Sequence, residues 1–113
     1  MLQSILNAAR NSLAGVAAAA RNEGSFQVEL AVCVVLLPLG LWLGGSGVER
    51  ALLVSSVLIA LCAELVNTAL EAAVDRISLE MHPLAKRAKD IGSAAVMLAL
   101  VNAGVVWLLV LFS

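Results

Sequence analysis

The sequence predicts an all-α membrane protein, with one amphipathic helix at the N-terminus and three membrane-spanning helices in a single domain. Three observations carry that reading. The 113-residue chain is 62% hydrophobic and only 13% charged, far from the balance of a soluble globular domain. Its apolar residues gather in three blocks, Leu30 to Leu43, Ala51 to Leu70 and Ile91 to Phe112; about 20 apolar residues at 1.5 Å rise cross a hydrocarbon layer of roughly 30 Å. Basic residues collect at one set of span ends, with Arg10, Arg21, Arg76, Lys86, Arg87 and Lys89 there and Arg50 alone on the other side. The positive-inside rule then puts the N-terminus and the loop 75–90 in the cytoplasm, and the loop 44–50 and the C-terminus outside.

Residues 2–21 read as the amphipathic helix. Leu2, Ile5, Leu6, Ala9, Leu13, Val16 and Ala20 recur at helical spacing, with Gln3, Asn7, Arg10, Asn11 and Arg21 elsewhere. Such a helix lies on the cytoplasmic interface or packs on the cytoplasmic end of the bundle. It lacks the continuous apolar core of a secretory signal. Asn22-Glu23-Gly24-Ser25 suggests a break before the first span, about 26–44, in which Pro38 and Gly40 are expected to bend or weaken the helix. Gly44-Gly45-Ser46-Gly47 is the outer turn, on the side without nucleotide and unsuited to phosphate. The second span covers about 51–73. Pro83 ends any helix running on from it, and a further helical segment leads through Lys89 and Asp90 into the third span, about 91–112, where only Ser93 and Asn102 are markedly polar. Trp42 and Trp107 fall near the outer span ends, where indole rings favour the interface. Cys33 and Cys62 show no CxxC or metal-ligand spacing and read as small hydrophobes. The net charge of −1 says nothing of partners, and no nucleic-acid partner is expected.

Against this apolar background Glu64, Asn67 and Glu71 stand out. Their offsets of three, four and seven put them on one helical face, and an acidic side chain at mid-span costs roughly 2.5–3.5 kcal/mol. Glu64 is the deepest ionisable group, about 10 Å further in than Glu71 from seven residues of helical rise. Its water-poor setting makes it a candidate proton acceptor, which Asn67 and Thr68 are placed to orient. Glu71 and Asp75 continue the face to the cytoplasm, and Glu23 and Glu29 bracket the start of span one at comparable depth. Carboxylates from two helices suit Mg²⁺, which binds through one or two carboxylates plus phosphate oxygens. The alternative, interhelical hydrogen-bond glue, fits Asn67, Thr68, Ser55 and Ser56 well; a buried carboxylate at Glu64 is a costly glue where serine or asparagine would serve. Arg76, Lys86 and Arg87 suit a solvated face or lipid headgroups, and His82 alone would be an ordinary loop histidine. There is no P-loop, kinase Gly-rich loop, HExxH or GxSxG. Residue chemistry alone stops at an intramembrane carboxylate site open to the cytoplasm.

The run Glu64-Leu-Val-Asn67-Thr-Ala-Leu-Glu71-Ala-Ala-Val-Asp75-Arg76-Ile, His82, and Lys86-Arg-Ala-Lys89-Asp90-Ile-Gly-Ser93-Ala-Ala-Val closely resembles the bacterial integral-membrane diacylglycerol kinases, as does Asn22-Glu23-x-x-Phe26-x-x-Glu29. The likeness covers nearly the whole chain, and ExxNxxxExxxD followed by KDxGSAAV is its specific core. The resemblance implies three transmembrane helices with a surface helix, a homotrimer whose sites form between subunits, and transfer of the γ-phosphate of MgATP to the hydroxyl of 1,2-diacylglycerol, giving phosphatidic acid and ADP in the bacterial inner membrane. Position by position, it implies that Glu64 is the catalytic base and that Glu23 and Glu71 hold Mg²⁺ on ATP. Lys89 and Asp90, with Glu80, Met81 and His82, belong to the nucleotide site. Asn67 and Ser93 line the pocket of the reacting hydroxyl; Phe26 and Glu29 belong with the lipid.

The chain departs from the family in its first helix, where Ser4, Asn11, Leu13 and Ala17 stand where relatives commonly bring arginine and aromatic residues toward nucleotide and lipid. Two other functions compete. A polyprenol (undecaprenol) kinase shares the architecture. A small proton-coupled transporter would use Glu64 and leave Glu23, Glu71 and the Lys89-Asp90 pair idle.

Overall fold

The computed structural model describes residues 1–78, 80 and 82–113, so the nucleotide contact expected of Met81 lies outside the described residues. Four helices follow one another: α1 (Leu2–Asn22), α2 (Gly24–Leu43), α3 (Gly47–Ile77) and α4 (Pro83–Leu111). α2, α3 and α4 have 20, 31 and 29 residues and are each long and apolar enough to cross a membrane. α3 is the central helix, packing most extensively on α4, then on α2, and touching α1. Val34, Val35, Leu98, Leu108 and Leu109 point outward, the apolar exterior that a hydrocarbon solvent accepts.

The helix ends follow from local chemistry. The break expected over four residues before span one is a single residue, Glu23, in extended conformation (φ −122°, ψ 108°). Its N–H donates to the Ala19 carbonyl (3.0 Å) and its own carbonyl accepts from Gln27 N (3.1 Å). Both helix ends are satisfied through one residue, so no longer linker is needed. At the outer turn Ser46 Oγ accepts from Glu49 N (3.2 Å) while the Glu49 carboxylate accepts from Gly45 N (3.1 Å), a reciprocal cap of the capping-box kind that starts α3. On the other side His82 caps α4, its Nδ1 accepting from Leu84 N (3.0 Å), and Pro83 takes the first helical position. α3 and α4, with 31 and 29 residues, are therefore longer than the apolar blocks they contain.

Pro38 does not interrupt α2, which stays helical to Leu43. Its missing N–H removes one bond of the ladder, and Gly40 next to it becomes a packing device. A Cβ at Gly40 would lie 3.2 Å from Leu53 Cβ and 3.5 Å from the Trp107 ring, so the bare backbone lets α2 close on α3 and α4. Trp107 is not a free interfacial indole; its Nε1 donates to the Leu53 carbonyl and to Ser56 Oγ, both at 3.2 Å. Trp42, by contrast, is 79% exposed, as the interfacial reading expects. Phe26, Leu53, Ser56, Val57, Ala60 and Val96 complete the packed interior. Cys33 is buried and Cys62 exposed, both as free thiols.

Trp107→Phe, which deletes the only donor shared by Leu53 and Ser56, is expected to destabilise the bundle by about 1 kcal/mol. Gly40→Val, which forces α2 off its neighbours, should cost more. Unfolding in detergent micelles orders the two; a Gly40→Val variant as stable as wild type would remove the close-approach role.

Candidate active site

The C-terminal halves of α1 and α3 border a cavity of about 590 Å³. Small residues on α1, Gly15, Ala18 and Ala19, leave the room; the polar wall is Ser12, Asn22 and Glu23 facing Thr68, Glu71 and Asp75. These positions recur every three or four residues, so one face of each helix looks into the cavity. The chain bend places Glu23 at the cavity's corner, opposite Glu71. The carboxylates expected to hold a metal thus line one space.

Glu71 has an oriented partner. Asn67 Nδ2 donates to Glu71 Oε1 (3.3 Å), leaving Asn67 Oδ1 buried without a hydrogen bond. Asn67 was expected to orient Glu64, and the amide serves Glu71 instead. Side chains on a helix lean toward its N-terminus, so Glu71 reaches back over Asn67, while Glu64 has its neighbour across the helix interface. That neighbour is Glu29 on α2, whose carboxyl lies beside that of Glu64. Both are half-buried. Below them Glu29 borders an apolar pocket of about 130 Å³ with Val32, Cys33, Leu36, Val57 and Leu100.

A second cleft of about 150 Å³ lies where α3 hands over to α4, lined by Asp75, Glu80, His82, Lys86, Lys89 and Asp90 among others. Lys89 Nζ donates to Asp75 Oδ1 and Lys86 Nζ to Asp90 Oδ2, each at 2.7 Å. Both lysines precede the apolar run that begins at Ile91, and the hydrogen-bonded carboxylate beside each holds its ammonium above the usual lysine range, so both stay charged at neutral pH. Asp75 borders both clefts and joins them.

Not every expected residue sits in this arrangement. Phe26, expected against an acyl chain, is fully buried at 0% exposure and offers a lipid no free ring. Ser93 is exposed on α4 beside Gly92, with no hydrogen bond to Glu64 or Asn67 among the described residues. His82 spends Nδ1 on capping α4. The sequence reading left out Ser12 and Asn22, for which the α1 register facing α3 was the available signal. It also missed the Asp75–Lys89 pair, whose partners stand 14 residues apart with no local pattern to join them. Among the described residues no group of three or more His, Cys, Asp or Glu side chains would hold a metal alone. Glu23 and Glu71, lining one cavity, are nevertheless the hard oxygen donors that a small divalent cation takes when phosphate oxygens complete its shell.

Comparison with known proteins identifies the family. Residues 10–111 match the family model described as prokaryotic diacylglycerol kinase. The chain is 50% identical over 110 residues to a diacylglycerol kinase of Pseudomonas aeruginosa, covering 97% of this chain and 89% of that protein. It is 43% identical to one of Haemophilus influenzae (98% and 94% covered) and 41% identical to one of Escherichia coli (96% and 89%). At that identity, over nearly the full length of both partners, the chain belongs to the prokaryotic diacylglycerol kinase family and is a kinase with a membrane-spanning body.

Proposed function

We propose that the protein transfers the γ-phosphate of MgATP to the primary hydroxyl of 1,2-diacylglycerol, giving phosphatidic acid and ADP, as a homotrimer in the bacterial inner membrane. The observation that carries this reading is the vertical order of acidic groups. Glu23, Glu71 and Asp75 line the cavity at the cytoplasmic helix ends, and Glu64 lies two turns deeper on α3, half-buried among apolar helices. A water-soluble nucleotide and a membrane lipid need opposite surroundings, and this order supplies both along one helix. The excess of Arg and Lys at the same ends supports a cytoplasmic N-terminus and α3–α4 loop, with α1 resting at the membrane surface.

In this reading Glu64 takes the proton of the glycerol hydroxyl as its oxygen bonds to the γ-phosphorus and the bond to ADP breaks. Glu29, whose carboxyl neighbours that of Glu64, lies beside the lipid. Glu23 and Glu71 hold the divalent cation, which when bound draws negative charge off the phosphates. Lys89, steadied by Asp75, offsets charge on the nucleotide, and Glu80, His82 and Asp90 border the same cleft. Asn67 keeps Glu71 in place.

Glu64→Gln keeps the shape and removes the proton acceptor, so turnover should fall about 10²–10⁴-fold while ATP still binds. Radiolabelled ATP with diacylglycerol in mixed micelles measures the first and equilibrium binding the second; near wild-type turnover removes Glu64 as the base. Glu71→Ala should raise the Mg²⁺ needed for half-maximal rate about tenfold or more while the lipid KM moves little, and an unchanged Mg²⁺ titration removes Glu71 from the metal site. Run side by side with a polyprenol, the same assay fixes the acceptor. Faster phosphorylation of the polyprenol would reassign the substrate, and no phosphorylated lipid from either would sink the kinase reading of the site.

A further inference from the structure

We infer that Gly92 is a positioning residue: its bare Cα lets α4 close on the Asn67 side chain and keeps that amide turned with its NH₂ toward Glu71. The backbone gives glycine no reason to be there. Gly92 lies inside α4, no described glycine has positive φ, and glycine weakens a helix interior relative to alanine. Space gives the reason. A Cβ at Gly92 would overlap Asn67 Oδ1 and come within 3.3 Å of Asn67 Cγ and 3.5 Å of Leu70 Cδ2. Gly104, the other glycine of α4, has nothing within 4 Å of such a Cβ.

The contact matters because of what else holds Asn67. Among the described residues its Oδ1 is buried and accepts no hydrogen bond, so no described polar group on that side keeps the amide from turning. Close approach of the Gly92 Cα–H to the oxygen is the remaining restraint, a weak contact of the kind helix interfaces use. The other end of the amide donates to Glu71 Oε1 at 3.3 Å. An ionised carboxylate only accepts, and a turned amide would set oxygen against oxygen. A methyl group at position 92 therefore pushes the oxygen away, and Glu71 loses its donor without being touched.

The inference rests on the proposed role of Glu71 toward the phosphate-bound cation, and the experiment separates the two. Gly92→Ala, Asn67→Ala, the double variant and the control Gly104→Ala are purified full-length in mixed micelles. Thermal unfolding is followed for each, and the Mg²⁺ concentration for half-maximal lipid phosphorylation is measured. Gly92→Ala should lower the melting temperature in the wild-type background and have little effect where Asn67 is already alanine. In the wild-type background it should raise the Mg²⁺ midpoint about tenfold, the scale of losing a group that orients a metal ligand. Gly104→Ala should leave the midpoint unchanged. Equal destabilisation by Gly92→Ala in both backgrounds, or an unmoved Mg²⁺ midpoint, overturns the inference. A wild type that phosphorylates no lipid overturns the function reading instead, and the melting comparison still decides whether Gly92 presses on Asn67.

Discussion

Polar side chains inside an apolar helix bundle must find partners within the bundle, because hydrocarbon offers none. α3 meets this demand one level at a time. Ser56 reaches Trp107 of α4, Glu64 reaches Glu29 of α2, Asn67 reaches Glu71 on its own helix, and Asp75 reaches Lys89 of α4. The hydrogen-bonded pairs satisfy their polar groups, and three of the four levels bring two helices together. Packing and site are thus one set of contacts. The exception is Asn67 Oδ1, buried and unpaired, and it lies at the level where the proposed chemistry needs a carboxylate held still.

The pairs change character along α3. Near the outer end the contacts are neutral and tightly packed, with Gly40, Leu53 and Trp107 in direct apposition. In the middle they are acid against acid. At the C-terminal end of α3 and the start of α4 they are exposed ion pairs, Lys86–Asp90 and Lys89–Asp75, of the sort that contributes little to stability and yields readily to a competing charge. Under the proposed function this gradient is what a transfer between water and lipid requires: rigid support far from the nucleotide, and an exchangeable ion pair where phosphate arrives.

Much of the architecture was legible in the sequence. The three spans, the helix before them and the polar face of Glu64, Asn67 and Glu71 follow from hydropathy and from spacing along a helix. The α3–α4 loop was legible through Pro83. What escaped were contacts between helices. Spacing says that Asn67 lies a turn from both Glu64 and Glu71, and only the partner across the interface decides which it serves; Glu29 takes Glu64, and the amide is left to Glu71. Trp107 reads as an interfacial ring until Gly40 and Ser56 are seen to make a place for it. Phe26, which the family resemblance puts with the lipid, fills the interior. Pro38 and Gly40 read as weak points, and the cost of one lost hydrogen bond is offset by closer packing.

The corner at Glu23 ties two scales of geometry together. A single residue ends one helix and begins the next, with hydrogen bonds running both ways from its backbone, so its backbone has little slack of its own. Any tilt of the first helix against the bundle moves the root of that side chain relative to Glu71. The attitude of an entire surface segment is thereby geared to the bite of two acidic groups.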